Sequence, residues 1–303
     1  MGLFDKFKKN KEADTAKPES NTEHESFLKA EKEAAEKAVR IVASETKTPC
    51  VKMDITDEKP SIFSSKLGGI GYVPHDGKIP EDKMGRQLRL LAQIDCSEIK
   101  LEDFPESGLL QFWILNDDAS GLDFDNNTSQ DTFRIVYYSD VDRSVTEDEV
   151  NAKIVKNEFD DDNMMPVTGQ YGLHFTSEQD SMSENDTRFE KMFCKSYNEQ
   201  NPPKKVKSVV EIETDLSDEV EEYGSLRDNA FGHKIGGYPG FTQWDPRDEN
   251  TEYDFLLLQL DSDFENDKEY IMWGDAGICG FFINREKLKK LDFSDVIYNW
   301  DCC

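Results

Sequence analysis

The chain carries the same short passage twice, in the same order. Lys66-Leu67-Gly68-Gly69 returns as Lys234-Ile235-Gly236-Gly237. Leu91-Ala92-Gln93-Ile94-Asp95 returns as Leu257-Leu258-Gln259-Leu260-Asp261. Gly108-Leu109-Leu110-Gln111-Phe112-Trp113-Ile114 returns as Gly277-Ile278-Cys279-Gly280-Phe281-Phe282-Ile283. Matched blocks in one order point to a duplicated structural unit, which constrains the fold more than any local signal. Each copy reads as a glycine turn feeding two strands. The paired glycines permit a positive φ or a close backbone approach that a Cβ forbids.

Alternation within the second block predicts a strand. Leu88, Leu90, Ala92 and Ile94 share one face; Arg89, Leu91, Gln93 and Asp95 share the other. In the second copy Leu256, Leu258 and Leu260 oppose Phe255, Leu257, Gln259 and Asp261. A strand apolar on both faces is central and covered, which buries both glutamines. A buried amide left unpaired costs about 1–3 kcal/mol. Gln93 and Gln259 are therefore read first as bonding the backbone of their own glycine turns, and second as ligand contacts.

The remaining chain supplies helices and further strands. Thr22-x-x-Glu25 is a capping box opening a helix over 22–44, with Leu28, Ala35, Val39 and Val42 as its apolar stripe. Val51, Met53 and Ile55 mark a strand leading into the first glycine turn, and Phe133, Ile135 and Tyr137 mark another. The acidic stretch 146–165 reads as a surface connection between halves. Ser183-x-x-Asp186 caps a second helix that carries Phe189, Met192, Phe193 and Tyr197 inward. A short strand is expected at 209–212 and a short helix at 216–223. The fold expected is α+β and mainly β: two similar antiparallel β-rich halves from an internal duplication, with a few peripheral helices. A single domain over 22–303 has halves of about 22–145 and 166–303, preceded by a flexible Lys-rich tail, 1–21.

Lys plus Arg number 36 against 64 Asp plus Glu, a net charge of -28. That balance opposes nucleic-acid binding, which uses basic patches. It suits a basic protein partner, such as a toxin that this protein neutralises. No apolar run approaches the ~20 residues of a membrane span, and no apolar export signal opens the chain. Leu3, Phe4 and Phe7 beside Lys6, Lys8, Lys9 and Lys11 allow weak membrane-surface contact by residues 1–11. The six cysteines (50, 96, 194, 279, 302 and 303) form no CxxC pair, so free thiols in a cytoplasmic setting are expected.

The ordered motifs carry a resemblance. They run from Gly68-Gly69 to Pro74 through Ala92-Gln93-Ile94 and Leu110-Gln111-Phe112 to Gly236-Gly237-Tyr238-Pro239 and Phe241-Thr242-Gln243. They continue with Asp245-Pro246-Arg247, Leu257-Leu258-Gln259, Trp273-Gly274-Asp275 and Phe281-Phe282-Ile283. The chain resembles the YwqG-like family, a bacterial, mostly cytoplasmic group, over roughly residues 24–303. The resemblance implies a compact β-rich fold with internal two-fold similarity and no established activity. Gly71 departs from the proline common there.

Candidate sites are few. Asp245-Pro246-Arg247 and Trp273-Gly274-Asp275 combine an Arg fork with carboxylates, which either grips an anionic ligand or locks loops together. Trp244 and Trp273 are candidates to floor a pocket. The ladder Asp261-x-Asp263-x-Glu265-x-Asp267 and the run Asp123-x-Asp125-x-Asn127 offer oxygen ligands but fail the EF-hand pattern, so no metal is expected. Cys279 and His233 are the one conceivable nucleophile and base, read instead as a buried thiol and an ordinary surface histidine. Nothing matches a nucleotide-binding loop, and no cofactor is expected. A non-catalytic binding or interaction protein is the leading expectation. The alternative is an enzyme or small-ligand binder using Arg247, Asp245 and Asp275 between the halves.

Overall fold

The computed structural model describes residues 18–158, 160, 164–248, 251–265 and 268–302. Residues 1–11, assigned above to membrane contact, lie outside them. Helix α1, Pro18–Glu45, runs into β1, Thr48–Thr56. The first glycine turn holds β2, Lys66–Gly68, followed by β3, Arg89–Asp95, β4, Leu109–Ile114, and β5, Phe133–Tyr138. A short helix α2, Glu147–Asn151, precedes the long strand β6, Gln170–Asp180. Then come α3, Phe189–Glu199, α4, Leu216–Glu219, and α5, Glu221–Ala230. The second turn holds β7, Lys234–Gly236, and leads to β8, Phe255–Asp261. A side pair, β9, Asp263–Glu265, and β10, Lys268–Ile271, precedes β11, Ile278–Ile283. Helix α6, Arg285–Leu288, and β12, Val296–Asp301, close the order.

One antiparallel sheet of ten strands runs β12-β11-β8-β7-β1-β6-β2-β3-β4-β5. From either end inward, the same four repeat-bearing positions are met before the central pair β1–β6. The registers share this symmetry about Asp54↔His174. The pairings Lys66↔Gly172 and Gly68↔Gln170 on one side of it are matched in register by Lys234↔Lys52 and Gly236↔Cys50 on the other. The strand that leads in sequence into the first glycine turn does not lie beside it in the sheet: β1 sits between β7 and β6, and β6 borders β2.

The sheet curls almost into a barrel. Phe112 of β4 packs on Phe281 of β11 with centroids 4.9 Å apart, and Phe133 of β5 on Tyr298 of β12 at 5.2 Å. Opposite ends of the sheet thus share one core. A second, smaller core is helical: Ala35, Val39 and Val42 of α1 meet Phe189, Phe193 and Tyr197 of α3, with Tyr223 of α5. No described helix is long and apolar enough to cross a membrane.

Several local expectations are revised. Helix α1 is already formed at Pro18, the first described residue, ahead of Thr22. Helix α3 begins at Phe189 with Arg188 as its N-cap, so Ser183 caps nothing there. Val209–Glu211 is a 3-10 turn rather than a strand. The stretch 146–165 is more than a surface connection: it contains α2, whose Val150 is fully buried. The strict alternation along β3 and β8 also breaks. Leu90 faces Trp113 while Ala92 faces Phe112, leaving Leu91 as a bulge; Leu257 is skipped in the same way between Leu256 and Leu258. Leu88 and Leu90 therefore pack in a different cluster from Ala92 and Ile94.

The bulges deliver each glutamine to its turn. Gln93 accepts from the Tyr72 N–H at 2.9 Å and donates to the carbonyls of Ile62 and Ser64, both at 2.9 Å. Gln259 accepts from the Gly240 N–H and donates to the carbonyls of Ala230 and Gly232, each at 2.8 Å. Between the clamped ends, Gly68 and Gly69 adopt φ of 60° and 69°, and Gly236 and Gly237 of 72° and 70°. At Gly237 a Cβ would lie 2.4 Å from the Asp180 carboxylate, so no other residue fits. Replacing Gln93 or Gln259 by Leu strands three backbone groups in the core. Each variant is expected to lose on the order of 3 kcal/mol in urea denaturation, at one to three per unpaired group.

Candidate functional site

Asp245 and Arg247 lie in the loop after the second glycine turn, and the sequence reading of a fork is met by a carboxylate that it did not include. Arg247 donates Nε and Nη2 to Asp245 at 2.9 and 2.8 Å, Nη2 also to Asp186 at 3.3 Å, and Nη1 to the Tyr253 carbonyl at 3.0 Å. Its guanidinium carbon lies 4.4 Å from the Phe282 ring centroid. Asp186 in turn takes Nε and Nη2 of Arg188, both at 2.7 Å. Two Asp-x-Arg units of the same spacing therefore interlock; Asp186-Thr187-Arg188 was the available signal, obscured by its resemblance to a helix cap. Burial alone would raise the Asp186 carboxyl, but hydrogen bonds from Arg188 and the charges of both arginines hold it below the usual carboxylate range.

The other predicted residues are dispersed. Trp273 is buried in the main core, its ring 6.0 Å from that of Trp300. Asp275 is exposed in the turn before β11, and no ion pair among the described residues joins it to Arg247. Gln259 is committed to backbone, and Gln93 to backbone and the Gln111 amide. Trp244 stands out into solvent, with 71% of its surface exposed.

Trp244 and Asp245 line one open cleft of about 550 Å³, together with Glu184, Thr187, Phe231 and Phe241. The wall is fixed from behind. Asp245 is held by buried Arg247 and accepts from the Thr187 N–H at 3.3 Å. Glu184 accepts from the Tyr223 hydroxyl of α5. An exposed indole thus lines the same cleft as two positioned carboxylates, of which Glu184 keeps lone pairs to spare while Asp245 is saturated by Arg247 and Thr187.

The nucleophile and base pair considered above is not assembled. His233 is buried rather than on the surface, and both ring nitrogens are engaged: Nδ1 accepts from the Asp261 N–H at 3.1 Å, and Nε2 faces Asp263 at 3.2 Å. Cys279 is buried, and burial pushes its thiol well above the ordinary value. In the acidic ladder, Asp261 accepts from the Gly232 N–H, while Asp267 lies outside the described residues.

The two turn lysines are buried differently. Lys234 pairs with Asp180 at 3.0 Å, whereas Lys66 donates to the Ile70 carbonyl at 2.7 Å and forms no ion pair among the described residues. Burial lowers Lys66 from 10.5 to about 8, with distant Glu147 opposing the shift.

These features define a mainly β protein: a ten-stranded antiparallel sheet curled almost into a barrel, with a helical side layer and a carboxylate-walled cleft. The chain belongs to the family described as Domain of unknown function (DUF1963), whose model matches residues 65–302. No curated protein matches it.

Two outcomes follow from the buried charges. Arg247→Gln leaves Asp186 and Asp245 short of their shared cation and should cost about 3–5 kcal/mol in denaturant unfolding. For Lys66, the unfolded chain keeps its proton up to about 10.5 while the folded state releases it near 8. Between those values the unfolded state binds more protons, so this residue's destabilisation is full below pH 8 and fades as pH rises. The stability of Lys66→Met relative to the parent should therefore be greatest at pH 7 and fall steadily by pH 10.5, followed as the difference in urea midpoints.

Proposed function

We propose that this chain is a YwqG-like, non-catalytic binding protein of the bacterial cytoplasm, descended from an internal duplication, whose Trp244 cleft receives a basic segment of another protein. The reading of duplication is supported by the mirrored strand order and by the twin glutamine clamps. The cytoplasmic reading is supported by the unpaired thiols of Cys50, Cys96, Cys194, Cys279 and Cys302.

The observation that carries the binding reading is the cleft itself. An indole face with 71% exposure stands beside the carboxylates of Glu184 and Asp245, in a chain of net charge -28. An arginine or lysine side chain stacked on Trp244 gains a cation–π contact, and its charge is met by the exposed carboxylate of Glu184, Asp245 being already paired with Arg247. Tryptophan in such a setting is a typical energetic anchor of an interface. The overall negative field speeds the encounter with a basic partner, such as a toxin, and weakens with salt. The rival reading, a small-ligand site or enzyme built on Arg247, Asp245 and Asp275, has less support because Arg247 is already engaged by protein groups.

Titration with Arg- and Lys-rich peptides, read by tryptophan fluorescence, tests this. Binding is expected to weaken with salt, and Trp244→Ala should reduce it by roughly tenfold or more while leaving the melting temperature unchanged. Equal binding of neutral or acidic peptides, indifferent to salt and to the substitution, would overturn it.

A further inference from the structure

Each glycine turn borders a cavity, and the two cavities are built from matching positions. Gly69, Ile70, Leu88, Arg89 and Leu90 line the first; Gly237, Tyr238, Asp254, Phe255 and Leu256 line the second. The first is nearly filled, at about 20 Å³, because Trp113, Val150 and Ile154 close on it. The second is open, at about 230 Å³, and extends between the halves to Thr48, Leu101 and Glu102. At about 30 Å³ per water-sized unit, that space takes a solute of roughly eight such units.

Two guanidiniums face this cleft, each held in place and each with an open edge. Arg188 spends Nε and Nη2 on Asp186 and lies 5.7 Å from the Tyr238 ring centroid. Its Nη1 has no hydrogen-bond partner among the described residues. Arg285 spends Nη1 on Asp103 at 3.1 Å, has Nε 3.8 Å from Asp254, and lies 5.0 Å from the Phe255 ring centroid. Its Nη2 is likewise unpartnered among the described residues. Carboxylates line the same space: Asp254, and Glu102, which is exposed and forms no ion pair among the described residues. A solute of one sign would meet opposed charges here, whereas a molecule carrying both signs satisfies both sets.

We propose that this cleft binds a free α-amino acid, its carboxylate on the open edges of Arg188 and Arg285 and its ammonium toward Glu102 and Asp254. The guanidinium forks are suited to a carboxylate, and stacking on Tyr238 and Phe255 holds them ready. The filled twin beside the first turn is the built-in contrast: same backbone, apolar lining, no charges aimed inward apart from Arg89, which is paired with Asp160. The site is separate from the Trp244 cleft, and peptide binding there neither supports nor weakens it.

The test is thermal shift and calorimetry of the full chain with the common free amino acids. Acetate, inorganic phosphate and ethylamine serve as single-sign controls. At least one amino acid should raise the melting temperature in a dose-dependent way, while the controls do not. Arg285→Gln is expected to weaken that binding by roughly tenfold or more, the loss of one charge-assisted hydrogen bond. Thr48→Trp, which fills the cleft from β1, should abolish it. Arg285 is the decisive position because its side chain is 38% exposed, so its replacement leaves the unliganded melting temperature as a control. The proposal is overturned if no amino acid shifts the protein or if a single-sign control binds as tightly. A shift that survives both substitutions overturns it as well.

Discussion

Two buried amides decide where the glycine turns of this protein go. Gln93 and Gln259 each tie the segment entering a short turn strand to the segment leaving it through three hydrogen bonds to backbone, and Gln93 accepts a fourth from Gln111. Such an amide stabilises a structure chiefly by what its absence would cost, since any unpaired group in the core carries a penalty of about 1–3 kcal/mol. The loops therefore move with the sheet. The bulges at Leu91 and Leu257 are what make the arrangement possible, because a slip of one residue changes which face a side chain takes. With the bulge, Gln93 joins the face of Leu88 and Leu90, where Tyr72 and Ile62 wait.

Much of this was legible in the residues. Paired glycines and apolar blocks are local signals, and the need to satisfy a buried amide led directly to the glutamine clamps. What could not be read was anything set by partners far away in sequence. The alternation of Val51, Met53 and Ile55 announces a strand but not its neighbours, and β1 pairs with β6 and β7, both more than a hundred residues further along the chain. A bulge leaves composition unchanged, so Leu91 looks like any other strand residue. His233 was misplaced on the surface because a lone histidine carries no burial signal; it takes the place that Ser65 holds in the first half. There the Ser65 hydroxyl accepts from the Asp95 N–H at 2.8 Å, as His233 Nδ1 accepts from Asp261 at 3.1 Å. The candidate site was half legible. Trp244 and Asp245 share a cleft, but Trp273 is core and Asp275 stands apart.

The differences between the halves explain why the candidate clefts belong to the second. In the first, Gln111 extends the clamp: Nε2 donates to the Tyr72 carbonyl at 2.8 Å and to Gln93 at 2.7 Å, and Oε1 accepts from Trp113 at 2.9 Å. That closed set of bonds holds Trp113 in place, where it helps fill the neighbouring cavity. The second half has Gly280 at the matching position, opposite Gln259. A Cβ there would meet the Phe282 ring at 2.8 Å, so the missing side chain is what lets that ring lie over the strand. Arg247 then stacks on the ring and gathers Asp245 and Asp186, and through Asp186 it reaches Arg188. One end of this chain of charges, Asp245, lines the Trp244 cleft, and the other, Arg188, lines the cleft beside Gly237. A polar plug beside the first glycine turn and a bare glycine at the corresponding register beside the second thus leave one cavity closed and the other open and charged.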